Sequence, residues 1–148
     1  MTLYFIESSA LAKLFVQEQV SERLIALVEP LTQAQKLVSS LSGVEVHSAI
    51  RRRERAGDLS PALAAESLGS LAAELAQMIE QPINAAVIDT AKQLIDRYPL
   101  RALDAIQLAS CCTARAATGI TDIVFIASDH ALLAAAAKEG LQTMDPTD

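Results

Sequence analysis

The sequence predicts an α/β fold: a three-layer α/β/α domain over residues 1–148 with a mostly parallel central sheet. Short apolar segments rich in β-forming residues alternate with longer segments of helical periodicity. The apolar run over residues 123–127 is continuous, which is typical of a strand buried on both faces. The length of 148 residues, 51% of them hydrophobic, suits one core, and no linker or repeat divides the chain.

The first half of the chain predicts strands that lead into helices. Helical spacing of apolar residues begins directly after the first apolar run, and Pro30 stops a short helix before the second strand. Ser42 and Gly43 mark the start of the following helix. The predicted elements are a strand over residues 3–6, a helix after it, a helix over 21–29, a strand over 36–41 and a helix over 44–56.

The middle of the chain predicts the longest helix. Ser60 provides a capping hydroxyl and Pro61 occupies the first helical position. Apolar residues then recur on one face as far as Met78, and Pro82 ends the helix. An extended piece around Ile83 predicts the third strand.

The last third repeats the alternation. One helix covers the apolar positions from residue 87 to residue 98, before Pro99, and the next covers residues 102–117 with Leu103, Ile106 and Ala109 facing inward. The remaining elements are the strand over 123–127, a helix from Ser128 and Asp129 to about Gly140, and a strand over 141–144.

Composition excludes several classes of protein. The net charge of −6 argues against binding nucleic acid by bulk attraction, since phosphate neutralisation requires Lys and Arg. With two Tyr, three Phe and no Trp, the chain lacks a base-stacking platform. No apolar stretch reaches the roughly 20 residues of a membrane helix. The neighbouring cysteines, Cys111 and Cys112, suit core thiols in a reducing cytoplasm, so we expect a cytoplasmic protein with no membrane partner.

Four acids lie where the strands of such a sheet end. Glu7 ends the first strand, Glu45 opens the helix after the second, and Asp129 ends the strand predicted to be the most buried. Asp104 lies in the first turn of its helix. Because ligands bind beyond the carboxyl ends of parallel strands, we expect these carboxylates to converge on one cleft.

Converging carboxylates repel one another unless a cation lies among them, and oxygen ligands suit Mg²⁺ or Mn²⁺. Such an ion can bind a scissile phosphate and activate water. The alternative is that these acids only cap helices or interact with helix dipoles. That alternative is weakest for Glu7, because a charged residue directly after a buried strand carries a desolvation cost.

Four segments resemble the PIN-domain family, specifically the VapC-type toxins of type II toxin–antitoxin pairs. They are residues 4–14 (YFIESSALAKL), 44–57 (VEVHSAIRRRERAG), 100–109 (LRALDAIQLA) and 125–129 (FIASD). Their order and spacing cover nearly the whole chain, and the third segment is the most specific.

The resemblance implies a metal-dependent endoribonuclease that cleaves RNA, is blocked by a cognate antitoxin and forms a homodimer. By position, Glu7 and Asp104 would be the principal ligands of Mg²⁺ or Mn²⁺. Glu45 and Asp129 would complete the catalytic cluster, and Ser9 would touch the site through water.

Two departures from the family pattern define the alternative function. The family's first acid is usually Asp, and it often has a hydroxyl residue where this chain has Ala127, with Ser128 beside it. A longer Glu7 side chain and a missing hydroxyl are compatible with a catalytically weakened or inactive module that still binds the antitoxin. Equal cleavage by the native chain and by Glu7→Asp would exclude this alternative.

Arg52 is a basic residue that could also belong to the site. Arg52 shares a predicted helical face with Glu45, so it is a candidate to bind RNA phosphates or an acidic antitoxin segment. A solvated basic face is the alternative.

A phosphoryl-accepting receiver domain is a third possible function, and it is ranked low because no acid follows the predicted third strand around Ile83.

Overall fold

The computed structural model describes residues 2–15 and 35–146, which form a five-stranded sheet with helices on both faces. The strands are β1 (Leu3–Ile6), β2 (Gln35–Ser39), β3 (Ile79–Gln81), β4 (Ile123–Ile126) and β5 (Gln142–Met144). The helices are α1 (Ser8–Lys13), α2 (Leu41–Arg55), α3 (Pro61–Leu75), α4 (Ala85–Arg97), α5 (Ala102–Thr118) and α6 (His130–Lys138). The helix predicted over residues 21–29 lies outside the described residues. Among the described helices, none combines the length and apolar character that crossing a bilayer requires.

The order of the strands is β3-β2-β1-β4-β5, and each neighbouring pair is parallel. The chain moves outward from β1 to β3 and then returns to the other side of β1, so the direction of winding reverses between β1 and β4. Phe5 and Phe125 are paired in register across this junction, and their rings stack at 5.3 Å between centroids. In open α/β sheets, the reversal point is where ligands bind.

The side chains of β1 alternate between two cores, one on each face of the sheet. Leu3 and Phe5 pack with the buried residues of α4, α5 and α6. Ile6 packs with those of α1, α2 and α3, and Tyr4 packs against the edge of the same cluster. This arrangement confirms the predicted three-layer α/β/α fold.

The third strand differs from its prediction. The strand is Ile79–Gln81, which precedes Pro82, whereas the sequence placed it around Ile83. The residue before a proline favours extended backbone, so the strand uses the positions before Pro82 and pairs with β2. Consequently α3 ends at Leu75, and with 15 residues it is shorter than the 17-residue α5, so the prediction of the longest helix was wrong.

The start of α2 also differs. The helix begins at Leu41, where the sequence predicted strand, and the Leu41 amide donates to the Ser39 hydroxyl at 3.2 Å. Gly43 therefore lies inside the helix, where a Cβ atom would be 3.2 Å from Leu75 Cδ1. Glycine at this position allows α3 to approach α2 closely. As a result, Glu45 lies in the second helical turn, whereas the sequence predicted that it would lie in the first.

Candidate active site

A pocket of about 350 Å³ lies beyond the carboxyl ends of the strands. It is lined by Glu7, Ser9, Glu45, Arg101, Ala102, Leu103, Asp104 and Asp129. The structure thus brings all four predicted carboxylates together, with Ser9 beside them. Their catalytic and metal-binding roles stay predictions, but their convergence on one cleft is a property of the fold.

Glu7 is the most deeply buried of the four acids, with 4% of its surface exposed. It is the N-cap of α1, and its Oε2 accepts hydrogen bonds from the Ser9 amide, at 3.0 Å, and from the Ser9 hydroxyl. Burial, with smaller contributions from the charges of Glu45 and Asp104, raises the pKa of Glu7 to about 7 although these bonds lower it. Near pH 7, Glu7 is therefore divided between its neutral and charged forms in the absence of a cation.

Glu45 is fixed by donors from two other helices. Its Oε1 accepts from the Ser8 hydroxyl of α1 at 2.7 Å and from the Gln107 amide of α5 at 2.9 Å. A residue in the second turn of a helix cannot cap that helix, so capping does not explain Glu45. The two donors leave Oε2 as the oxygen available to a ligand in the pocket.

Sequence reasoning missed the buried polar network under the pocket. Gln107 is 1% exposed, and its Nε2 lies 2.7 Å from Ser8 Oγ and 3.1 Å from Ser42 Oγ. Its Oε1 is also buried and finds no partner among the described residues. The available signal was an amide at a core-facing helix position, three residues after Asp104, because buried polar groups usually have a partner that explains them.

Asp104 and Asp129 face the pocket in different ways. Asp104 is half-buried and accepts no hydrogen bond from the described part of the chain. Burial and the Asp129 charge raise the pKa of Asp104, whereas Arg101 lowers it. Asp129 caps α6, with Oδ1 accepting from the Leu132 amide at 2.9 Å. Asp129 therefore caps a helix and lines the pocket at once, so the two interpretations do not exclude each other.

The hydroxyl that the family often has near the last Asp is not supplied by a neighbour. Ala127 is fully buried in one of the two cores. Ser128 Oγ is buried and has no hydrogen-bond partner within the described ranges. Ser128 therefore does not replace the hydroxyl that is absent at position 127.

The donor set fits a hard divalent cation, although the side chains do not form a chelate in this structure. Within residues 2–15 and 35–146, no three His, Cys, Asp or Glu groups are placed to hold one ion. Glu7, Glu45 and Asp129 each have one oxygen turned toward a hydrogen-bond donor. Burial raises the pKa of both Glu7 and Asp104, and the charges of neighbouring carboxylates add to the effect. Mg²⁺ or Mn²⁺ would compensate the charge of these carboxylates through oxygen ligands.

Three further residues differ from expectation or stand apart. Leu103, predicted to face inward, is 50% exposed and lines the pocket. It belongs to the first turn of α5, where its side chain borders the pocket and not a core, so that prediction was wrong. Arg52 is exposed on α2 and is not among the pocket-lining residues, so its role stays a prediction. Arg101, for which sequence reasoning predicted no role, lines the pocket.

Comparison with known proteins identifies similar chains, although no family model matches. Ribonuclease VapC35 from Mycobacterium tuberculosis is 32% identical over 125 residues, which cover 82% of each chain. VapBC2 from Rickettsia felis, solved with a promoter DNA fragment, gives a TM-score of 0.69 at 8% identity and covers 97% of this chain and 98% of the other. VapC20 from Mycobacterium tuberculosis, described as a sarcin–ricin loop cleaving toxin, gives a TM-score of 0.66 at 16% identity, with coverages of 89% and 94%.

Proposed function

The chain belongs to the PIN-domain family of VapC-type ribonuclease toxins, and on that basis we propose that it is a metal-dependent endoribonuclease in a toxin–antitoxin pair. The observation that carries the proposal is the pocket shared by Glu7, Glu45, Asp104 and Asp129. Glu7 lines this pocket although its side chain is one methylene longer than the usual Asp, so the extra length does not remove the carboxylate from the cleft. The proposed reaction is hydrolysis of an RNA phosphodiester bond.

The proposed metal ligands are the two acids that the family resemblance implies, and the hydrogen bonds in the pocket add what the remaining oxygens can do. Glu7 and Asp104 would hold Mg²⁺ or Mn²⁺, with Ser9 orienting the Glu7 carboxylate. When bound, such an ion compensates charge on the scissile phosphate and lowers the pKa of water. Glu45 Oε2 would accept a hydrogen bond from water, because Oε1 is held by Ser8 and Gln107.

The proposed partners are an RNA substrate, a cognate antitoxin and a second copy of the chain. Support for the antitoxin comes from the similarity to toxins solved in VapBC complexes. RNA is proposed because the curated relative is a ribonuclease. The homodimer rests on the family resemblance, and a cytoplasmic location is proposed because the substrate would be found there.

Chelation of divalent ions is expected to reduce RNA cleavage by at least roughly 100-fold, since the carboxylates alone repel a phosphate. The measurement uses a panel of structured RNAs that includes a sarcin–ricin loop, incubated with the protein in EDTA and then with excess Mg²⁺ or Mn²⁺. Restored cleavage is the expected result. Undiminished cleavage in EDTA would contradict metal dependence, and no cleavage with either ion by a protein that binds its antitoxin would favour the inactive binding module.

A further inference from the structure

The carboxylates of the pocket repel an anionic substrate. Glu7, Glu45, Asp104 and Asp129 face the space in which a polyanionic substrate would have to lie. A divalent ion compensates two negative charges, and each nucleotide of RNA adds another. A positive side chain of the protein in this pocket would offset part of that repulsion.

Arg101 is the cationic side chain among the eight residues that line the pocket. Its side chain is exposed, and within the described ranges this side chain forms no hydrogen bond and no ion pair. Two other arginines differ in this respect, because Arg51 pairs with Glu54 at 2.9 Å and Arg97 pairs with Glu139 at 3.0 Å. The guanidinium donors of Arg101 are therefore available to a ligand.

The position of Arg101 in the fold directs it to the same space as Asp104. It is the residue that precedes α5, with extended backbone at φ −75° and ψ 159°, and it makes no side-chain capping bond. Its charge acts on Asp104, whose pKa it lowers. A guanidinium has a planar set of donors that matches two phosphate oxygens.

We propose that Arg101 is a substrate-binding residue that donates hydrogen bonds to an RNA phosphate beside the four carboxylates; this rests on the proposed ribonuclease function. The contact compensates the charge that the substrate brings into the pocket and fixes one phosphate relative to Asp104. Because a phosphate is recognised, the contact contributes to RNA binding independently of base sequence.

Steady-state cleavage of one RNA oligonucleotide in excess Mg²⁺, together with equilibrium binding of the same fluorescently labelled RNA, tests this. Arg101→Ala is expected to raise KM and Kd about tenfold with kcat changed less than about threefold. The slope of log Kd against log salt concentration should fall by about 0.7 to 1, the contribution of one phosphate contact. Arg101→Lys should restore the slope, because the positive charge returns, but only part of the affinity, because an ammonium lacks the planar pair of donors. Lys92→Ala, which removes an exposed charge from α4 outside the pocket, is the matched control and should behave as the native protein.

Each other outcome overturns the proposal in a distinct way. Native KM, Kd and salt slope in Arg101→Ala would remove Arg101 from substrate binding and leave the ribonuclease intact. A fall in kcat at unchanged KM would show that Arg101 acts through Asp104 instead. Lost antitoxin binding with native RNA binding would assign Arg101 to the protein partner. If the native protein neither binds nor cleaves RNA, the proposed function fails, and this inference fails with it.

Discussion

Asp104→Asn is expected to reduce RNA cleavage by at least about 100-fold without unfolding the protein. Asparagine keeps the size of the side chain and removes the negative charge that would hold the ion. Asp104 accepts no hydrogen bond from the described part of the chain, so the change breaks no such contact. It also removes repulsion from Asp129 and Glu45, both of which raise the pKa of Asp104.

The matched control for this variant is Asp96→Asn. Asp96 is exposed on α4 and does not line the pocket, so the same chemical change there should leave cleavage unaltered. Initial rates in excess Mg²⁺, with thermal unfolding followed by circular dichroism, measure both effects. Native activity in Asp104→Asn would show that the assignment of the site is wrong.

When the pH is raised from 5 to 8 in the absence of divalent ions, the free energy of unfolding of the native protein is expected to fall by about 2 to 3 kcal/mol relative to that of Glu7→Gln. Burial raises the pKa of Glu7 from 4.5 to about 7 in the folded protein. The folded state therefore holds this proton more tightly than the unfolded state. As pH rises from 4.5 towards 7, the native protein loses stability, by roughly 1.4 kcal/mol for each unit of difference between the two pKa values. The amide side chain of the variant has no ionisable proton, so the variant does not lose stability in this way.

Urea denaturation of both proteins in EDTA at pH 5 and pH 8 measures the difference. The control is Glu66→Gln, which removes an exposed carboxylate from α3 and should give a much smaller pH-dependent difference. Adding Mg²⁺ at pH 8 should stabilise the native protein more than Glu7→Gln, because the ion replaces the buried proton. If the free energies of unfolding of the native protein and Glu7→Gln differ by the same amount at both pH values, the raised pKa of Glu7 is contradicted.

The fold was predictable because its main signals are local. The continuous apolar run before Ser128 indicates a strand buried on both faces, and β4 is buried at each of its four positions. The boundaries that were wrong depend on tertiary contacts. The close approach of Leu75 to Gly43 and the pairing of Ile79 with β2 are not visible in either segment alone.

The positions of the four acids were predictable for a different reason. Parallel strands place their carboxyl ends at one edge, so acids that follow different strands meet in space. The polar network around Gln107 and the presence of the Arg101 side chain in the pocket could not be predicted in this way. Gln107 meets Ser8, 99 residues away, only because α5 extends past the end of β1. Arg101 gains its significance from the same packing, which brings it to carboxylates from three other segments.

Crystals soaked in Mn²⁺ and measured for anomalous scattering would test the central claim most directly. The account predicts an ion in the pocket, within about 2 to 2.4 Å of oxygens from Glu7 and Asp104. The same ion should be absent from crystals of Asp104→Asn. A protein that cleaves RNA in Mn²⁺ but shows no ion in this pocket, or shows one only elsewhere, would contradict the account.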